Sequence, residues 1–134
     1  MTNSKTNFAP FLTFPGQAEA AMDLYQSLFV DSERVSLTLV DNPAFGEIGK
    51  VLNGQLLIKD HLVMFMDMAP EQAAPFSWSS SLYVECDDEA EFDRLFAGLA
   101  EGGQVMMGPE PILDLRKVAW VTDRFGVTWQ LVWA

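Results

Sequence analysis

Two hydrophobic spacings alternate along the chain, one with the period of a strand and one with that of a helix. A short apolar run, FAPFLTF (Phe8 to Phe14), precedes GQAEAAMDLYQSLF, where Ala18, Ala21, Met22, Tyr25, Leu28 and Phe29 recur at helical spacing. Strand-like runs follow at ERVSLTLV (Glu33 to Val40), KVLNGQLLI (Lys50 to Ile58) and HLVMFMDM (His61 to Met68). DNPAFGEIG separates the first two, and a turn at Lys59-Asp60 separates the last two. The stretch APEQAAPF (Ala69 to Phe76), rich in Pro and Ala, then marks a linker over residues 69–78.

The same order then returns. SSSLYVEC (Ser79 to Cys86) has strand character, and DDEAEFDRLFAGLAEGG places Phe92, Leu95, Phe96 and Leu99 on one helical face. Asp88 and Glu91 form a capping-box-like start, and Gly102-Gly103 the stop. Strands are expected near Gln104–Met107, Lys117–Val121 and Val127–Trp133. An offset of 71 residues places Leu24 on Leu95, Tyr25 on Phe96 and Leu28 on Leu99. Each half, about 8–68 and 79–134, is a βαβββ module within one expected domain spanning 1–134. A helix with one apolar face can bury it only against its own sheet. The fold class is therefore α+β, with a curved mixed sheet around a cup and helices on its outer face.

Composition narrows the function classes. Apolar residues make up 49% and charged residues 20%, as in ordinary globular domains. No apolar run approaches the roughly 20 residues of a membrane span, and MTNSKTN carries no apolar leader segment. Cys86, the single cysteine, has no partner in the chain for a disulfide, so a cytoplasmic location is expected. Nineteen acidic against 8 basic residues give a net charge of -11. That surface repels phosphate backbones and anionic lipid, so neither nucleic acid nor membrane is an expected partner.

Three stretches, PFLTFPGQAEAAMDLYQSLF (10–29), SLYVECDDEAEFDRLFAGLAEGG (81–103) and WVTDRFGVTWQLV (120–132), set within the duplicated βαβββ order, resemble the PhnB-like branch of the vicinal oxygen chelate (glyoxalase/bleomycin-resistance) superfamily. That branch often carries the label 3-demethylubiquinone methyltransferase. The residues give methyl transfer no support, because no Gly-rich loop follows a first strand and opens a helix. In metal-using relatives, His and Glu from the first and last strands of each module hold one divalent ion. The resemblance carries those positions onto Pro10, Met66 (or Met68), Ser81 and Gln130. Proline offers no side-chain donor, a thioether suits hard cations poorly, and serine and glutamine are neutral, weak ligands. No metal and no other cofactor is therefore expected.

Strand alternation puts Trp129, Leu131 and Trp133 on one face and Thr128, Gln130 and Val132 on the other. By resemblance the Gln130 face lines the cup, together with Ser79, Ser81, Tyr83 and Glu85 of the fifth strand. Gln130 either orients a ligand or bonds a neighbouring side chain, and a buried amide needs one or the other. The expected ligand contacts are Leu12, Met66, Ser81, Tyr83 and Gln130. The methionines at 64, 66 and 68 suit a planar or greasy molecule but equally an ordinary core. Phe14, Phe45, Trp78 and Trp120 are further candidate walls. His61, in a turn, has no second histidine to form a zinc pair, and an acidic neighbourhood would raise rather than lower the Cys86 thiol pKa. Arg116, Lys117 and Arg124 are the basic groups that an anionic phosphonate would need.

Three functional readings follow. The preferred one is a small-molecule binder without metal, assembled as a homodimer as the resemblance implies. The second is a lyase, isomerase or oxygenase with a nonstandard ion site that recruits Glu85 or Asp67. The third is a structural dimerisation module.

Overall fold

The computed structural model describes residues 8–134, and the opening MTNSKTN lies outside them. The chain divides between Ala74 and Pro75 into two compact units. Each has the order βαβββ and builds a four-stranded mixed sheet with one helix on it. The expected α+β class and both modules are present.

The first unit contains β1 (Phe11–Phe14), α1 (Ala18–Leu28), β2 (Ser32–Leu39), β3 (Val51–Ile58) and β4 (His61–Asp67). Its strands lie in the order β1-β4-β3-β2, with β1 parallel to β4 and the other pairs antiparallel. The apolar face of α1 closes one side of this sheet through Ala18, Ala21, Met22 and Tyr25, all buried. Phe14 stacks on Phe65 with ring centroids 5.9 Å apart, and Tyr25 tilts against Phe65 at 6.1 Å. Burying each such side chain contributes about 1.5–3 kcal/mol. Gly54 of β3 lets α1 come this close, because a Cβ there would lie 2.6 Å from the Met22 Sδ. Helix α1 lacks a side-chain cap of its own at Gln17. Asp67, at the end of the neighbouring strand β4, supplies one: its Oδ1 accepts from the Ala18 N–H at 2.8 Å.

The second unit contains β5 (Leu82–Glu85), α2 (Glu89–Ala100), β6 (Gln104–Ile112), β7 (Leu115–Thr122) and β8 (Thr128–Trp133), in the sheet order β5-β8-β7-β6. Phe92, Leu95 and Leu99 of α2 are fully buried, as are Ala119, Val121 and Leu131 of the sheet. The expected cap forms, with the Glu91 N–H donating to Asp88 Oδ1 at 2.8 Å. Glu91 answers through Oε1, which accepts from the Asp87 N–H at 2.6 Å, one residue earlier than in the usual box. At the other end Gly102 takes φ 74°, the left-handed value that stops a helix. Gly103 serves a different need, since a Cβ there would run into the Thr122 carbonyl oxygen.

Three elements differ from expectation. Strand β5 is confined to Leu82–Glu85, short of the expected Ser79–Cys86. Strand β1 begins at Phe11 rather than Phe8, although the Pro10 carbonyl already accepts from the Met64 N–H at 2.9 Å. Strand β6 runs on to Ile112, through Pro109 and Pro111, well past the expected end at Met107. Prolines argue against a strand interior, but β6 is an edge strand with irregular register, where missing N–H groups cost no ladder bond.

Lys117 fastens β7 to α2. Its Nζ donates to Asp93 Oδ1 at 2.8 Å and lies 2.8 Å from Glu89 Oε2. These contacts, Asp93 first and Glu89 second, raise the ammonium pKa above its ordinary 10.5. A raised lysine pKa favours folding at pH values below the unfolded pKa, and the benefit disappears as pH rises through the folded value. We therefore expect thermal denaturation from pH 8 to 12 to show the parent losing its advantage over Lys117→Gln above about pH 10.5, with the gap constant at lower pH.

Candidate functional site

The turn before β8 sets which side chains the second sheet presents. Asp123 is buried, and its carboxylate gathers three N–H groups: Phe125 and Val127 backbone amides to Oδ1 at 2.9 and 3.1 Å, and the Trp129 indole to Oδ2 at 3.0 Å. Gly126, at φ 96°, permits the tight return. Trp129 is thereby pinned on the helix-covered face, and period-two alternation sends Gln130 to the opposite, open face.

The ladder registers carry one row across that open face. Tyr83 pairs with Gln130, Gln130 with Trp120, and Trp120 with Met107, spanning all four strands. Gln130 Nε2 donates to the Ser81 Oγ at 2.8 Å, which leaves its carbonyl oxygen as an acceptor. The Tyr83 ring is 60% exposed and Trp78 61% exposed, and the Trp78 ring tilts over Trp120 at 6.3 Å between centroids. One row further, Thr122 and Thr128 satisfy each other at 2.8 Å. Glu85 lies on the same face beside Val132, exposed at the strand end.

Ser81, Tyr83 and Gln130 thus stand together within the second unit, and Trp120 and Trp78 extend the row. In the first unit Leu12 and Met66, both expected as ligand contacts in one cup, do not share a face. Leu12 is in register with Phe65, the residue packed under α1, whereas Met66 is in register with Thr13. Neighbours in a ladder share a face, so Leu12 and Met66 point to opposite sides of the sheet. Pro10 alternates with Leu12, and so it too leaves the Met66 face. Phe14 is a core residue and Phe45 an exposed loop residue.

The donor set does not fit a divalent ion. Pro10 offers no side-chain donor, Met66 offers a thioether, and Ser81 and Gln130 are neutral and bonded to each other. Asp67 is committed elsewhere: Oδ1 accepts from Ala18 and Oδ2 from the Val51 N–H at 2.9 Å. Two of the three basic groups named for a phosphonate rim are engaged elsewhere. Lys117 is held by α2 carboxylates, and the Arg116 guanidinium sits 4.5 Å from the Trp133 ring centre. His61 is exposed at the start of β4, opposite Ile58.

The sequence pattern of the family described as 3-demethylubiquinone-9 3-methyltransferase matches residues 6–132. The chain belongs to this family. A PhnB protein of this family from Bacillus cereus is 35% identical over 96% of this chain and 100% of its own, with a TM-score of 0.89. A Pseudomonas aeruginosa protein is 27% identical over 94% of this chain and 96% of its own, with a TM-score of 0.83. The fosfomycin resistance protein FosX from Mesorhizobium loti, 15% identical over 97% of this chain and 92% of its own, shares the fold with a TM-score of 0.60. No curated protein matches the chain in sequence. The expected PhnB-like family is thereby shown, and the duplicated modules are shared with the fosfomycin resistance protein as a fold.

Two carboxylates organise this family member's strand ends, and sequence reasoning gave Asp67 only as a fallback metal ligand and Asp123 no role. Asp123 had a legible signal, an acid opening a turn with a tryptophan six residues on. Asp67 had none, since its partners lie 49 and 16 residues away. Replacing Asp123 by Ala strands the Trp129 indole N–H and two amides. We expect a loss of about 3 kcal/mol, read in urea titrations, and a melting temperature roughly 10 °C lower. Asp67→Ala should cost about 1–3 kcal/mol for its two amides, with no change in bound metal by elemental analysis.

Proposed function

We propose that this PhnB-like protein binds a planar, mostly apolar small molecule on the open face of the second sheet, without a resident metal ion. The observation behind this reading is the row Tyr83–Gln130–Trp120 with Trp78 above it. Exposed aromatic rings stand there beside polar groups with unused capacity. The Tyr83 hydroxyl makes no hydrogen bond among the described residues, and the Gln130 carbonyl remains an acceptor. Rings supply apolar area to a flat ligand, while two or three placed polar atoms fix its orientation. The Gln130 amide has no titratable site, which favours binding over proton transfer there.

Methyl transfer is not part of the proposal. Strand β1 leads into α1 through Pro15-Gly16-Gln17, which is no Gly-rich cradle for a nucleotide-type methyl donor. Assembly as a homodimer is included, on the strength of the family resemblance. Light scattering that returned the mass of a single chain would remove that element.

Calorimetry with planar phenols and quinones on tag-free protein tests the binding reading. A saturable ligand should lose roughly tenfold in affinity with Trp120→Ala and about fivefold with Gln130→Leu. Thermal stability with Zn²⁺, Ni²⁺, Mn²⁺ or Fe²⁺ should stay flat, because an ion that binds only the native state must raise it. One tightly bound ion per chain would replace this reading with a metal-dependent enzyme using Glu85.

A further inference from the structure

The first unit holds a cleft of about 620 Å³ at the end of its sheet, between the turn after β1, the β2–β3 loop and the residues that follow β4. Small-molecule sites commonly measure about 300–1,000 Å³. Val40, Phe45, Met66 and Met68 give the cleft an apolar wall. Lys50 is the one basic residue among those lining it.

Lys50 is half-buried, and its Nζ donates to the Gly16 carbonyl at 3.0 Å. An ammonium carries three N–H groups, and among the described residues Lys50 forms no ion pair. The carboxylate in the same wall, Asp67, has one oxygen on the Ala18 amide and the other on the Val51 amide. In a chain of net charge -11, a half-buried cation without a counter-ion is unexpected. Among the described residues of this unit, Arg34 binds Asp23 at 2.7 Å and Lys59 binds Asp31 at 3.2 Å.

We propose that this cleft is a binding site for a small monocarboxylate with an apolar body. The Lys50 ammonium holds the carboxylate, and Phe45, Met66 and Met68 cover the body. Charge selects the class. Glu47, Asp67 and Glu71 also line the cleft and repel any anion, so only one that meets the Lys50 ammonium directly is held; one ammonium neutralises one carboxylate and leaves the phosphate dianion with uncompensated charge. The loop over the cleft is shaped for this. Residues 41–49 are all exposed, with Phe45 at 68% and Ile48 at 56%. Gly46 and Gly49 bound Phe45 and Ile48 on their C-terminal sides at φ 141° and 89°. An apolar body in the cleft gives Phe45 the packing partner it lacks.

This site lies wholly within the first unit and does not depend on the open-face reading. Titration of the full chain with 3-phenylpropionate, its neutral amide and inorganic phosphate, followed by calorimetry at low salt, tests it. The carboxylate should saturate, the amide should bind at least about tenfold more weakly, and phosphate should not bind. Lys50→Gln should weaken the carboxylate by about tenfold or more, and Lys50→Arg should retain most of the affinity. Phe45→Ala, in an exposed loop where no packing is lost, should weaken it about threefold and keeps the test open if Lys50→Gln fails to fold. Gln130→Leu should leave it unchanged, which separates this site from the open face. Equal binding of acid and amide, binding of phosphate, absence of saturation by the carboxylate, or indifference to Lys50→Gln and Phe45→Ala would each overturn the proposal.

Discussion

Each four-stranded sheet has two faces and a single helix to cover one of them. Almost everything else about the protein follows from that constraint. Residues on the covered side must be apolar and must fit the helix, so Gly54 lies under Met22 and the small Ala119 is fully buried in the second sheet. The other side is mixed: in the second sheet it holds the buried Val118, Val132 and Thr128 beside an amide, hydroxyls and half-exposed rings. Because side chains alternate strictly along a strand, one residue of phase decides whether a position belongs to the core or to the chemistry.

Acidic residues hold that phase in place. Asp67 joins the end of β4 to the start of α1 and to β3, Asp88 and Glu91 start α2, and Asp123 shapes the entry to β8. In each case a carboxylate meets backbone N–H groups that the adjacent element leaves unpaired. Acids that look available in a list of residues are therefore partly spent on architecture. The candidate chemistry of the second sheet is correspondingly neutral, built from an amide, hydroxyls and rings.

The duplicated fold was legible because its signals are local: the helical spacing of two apolar stripes, the Asp88–Glu91 cap and the glycine stop. In the second module the alternation of Ser81, Tyr83 and Gln130 was long enough to fix the shared face. In the first, β1 is only four residues between Pro10 and Pro15, and apolar side chains occupy both faces at Phe11, Leu12 and Phe14. Its phase was unreadable without the partner strand, which is why Leu12 was placed with Met66. The length of β6 was hidden for a similar reason, since only its place at the sheet edge makes Pro109 and Pro111 acceptable. Pairings such as Trp78 with Trp120 depend on cross-strand geometry that no local pattern encodes.

Those two prolines also bear on how the second sheet meets its surroundings. A free sheet edge is a template on which another chain can add a strand, and templating requires a continuous run of backbone donors and acceptors. Along β6, Pro109 and Pro111 delete two donors and the register shifts break the spacing of the rest. The opposite edge, β5, offers only four residues. Both margins of this sheet are therefore poor sites for intermolecular strand addition, so the open face can keep its exposed rings without a long, regular edge beside it to start aggregation.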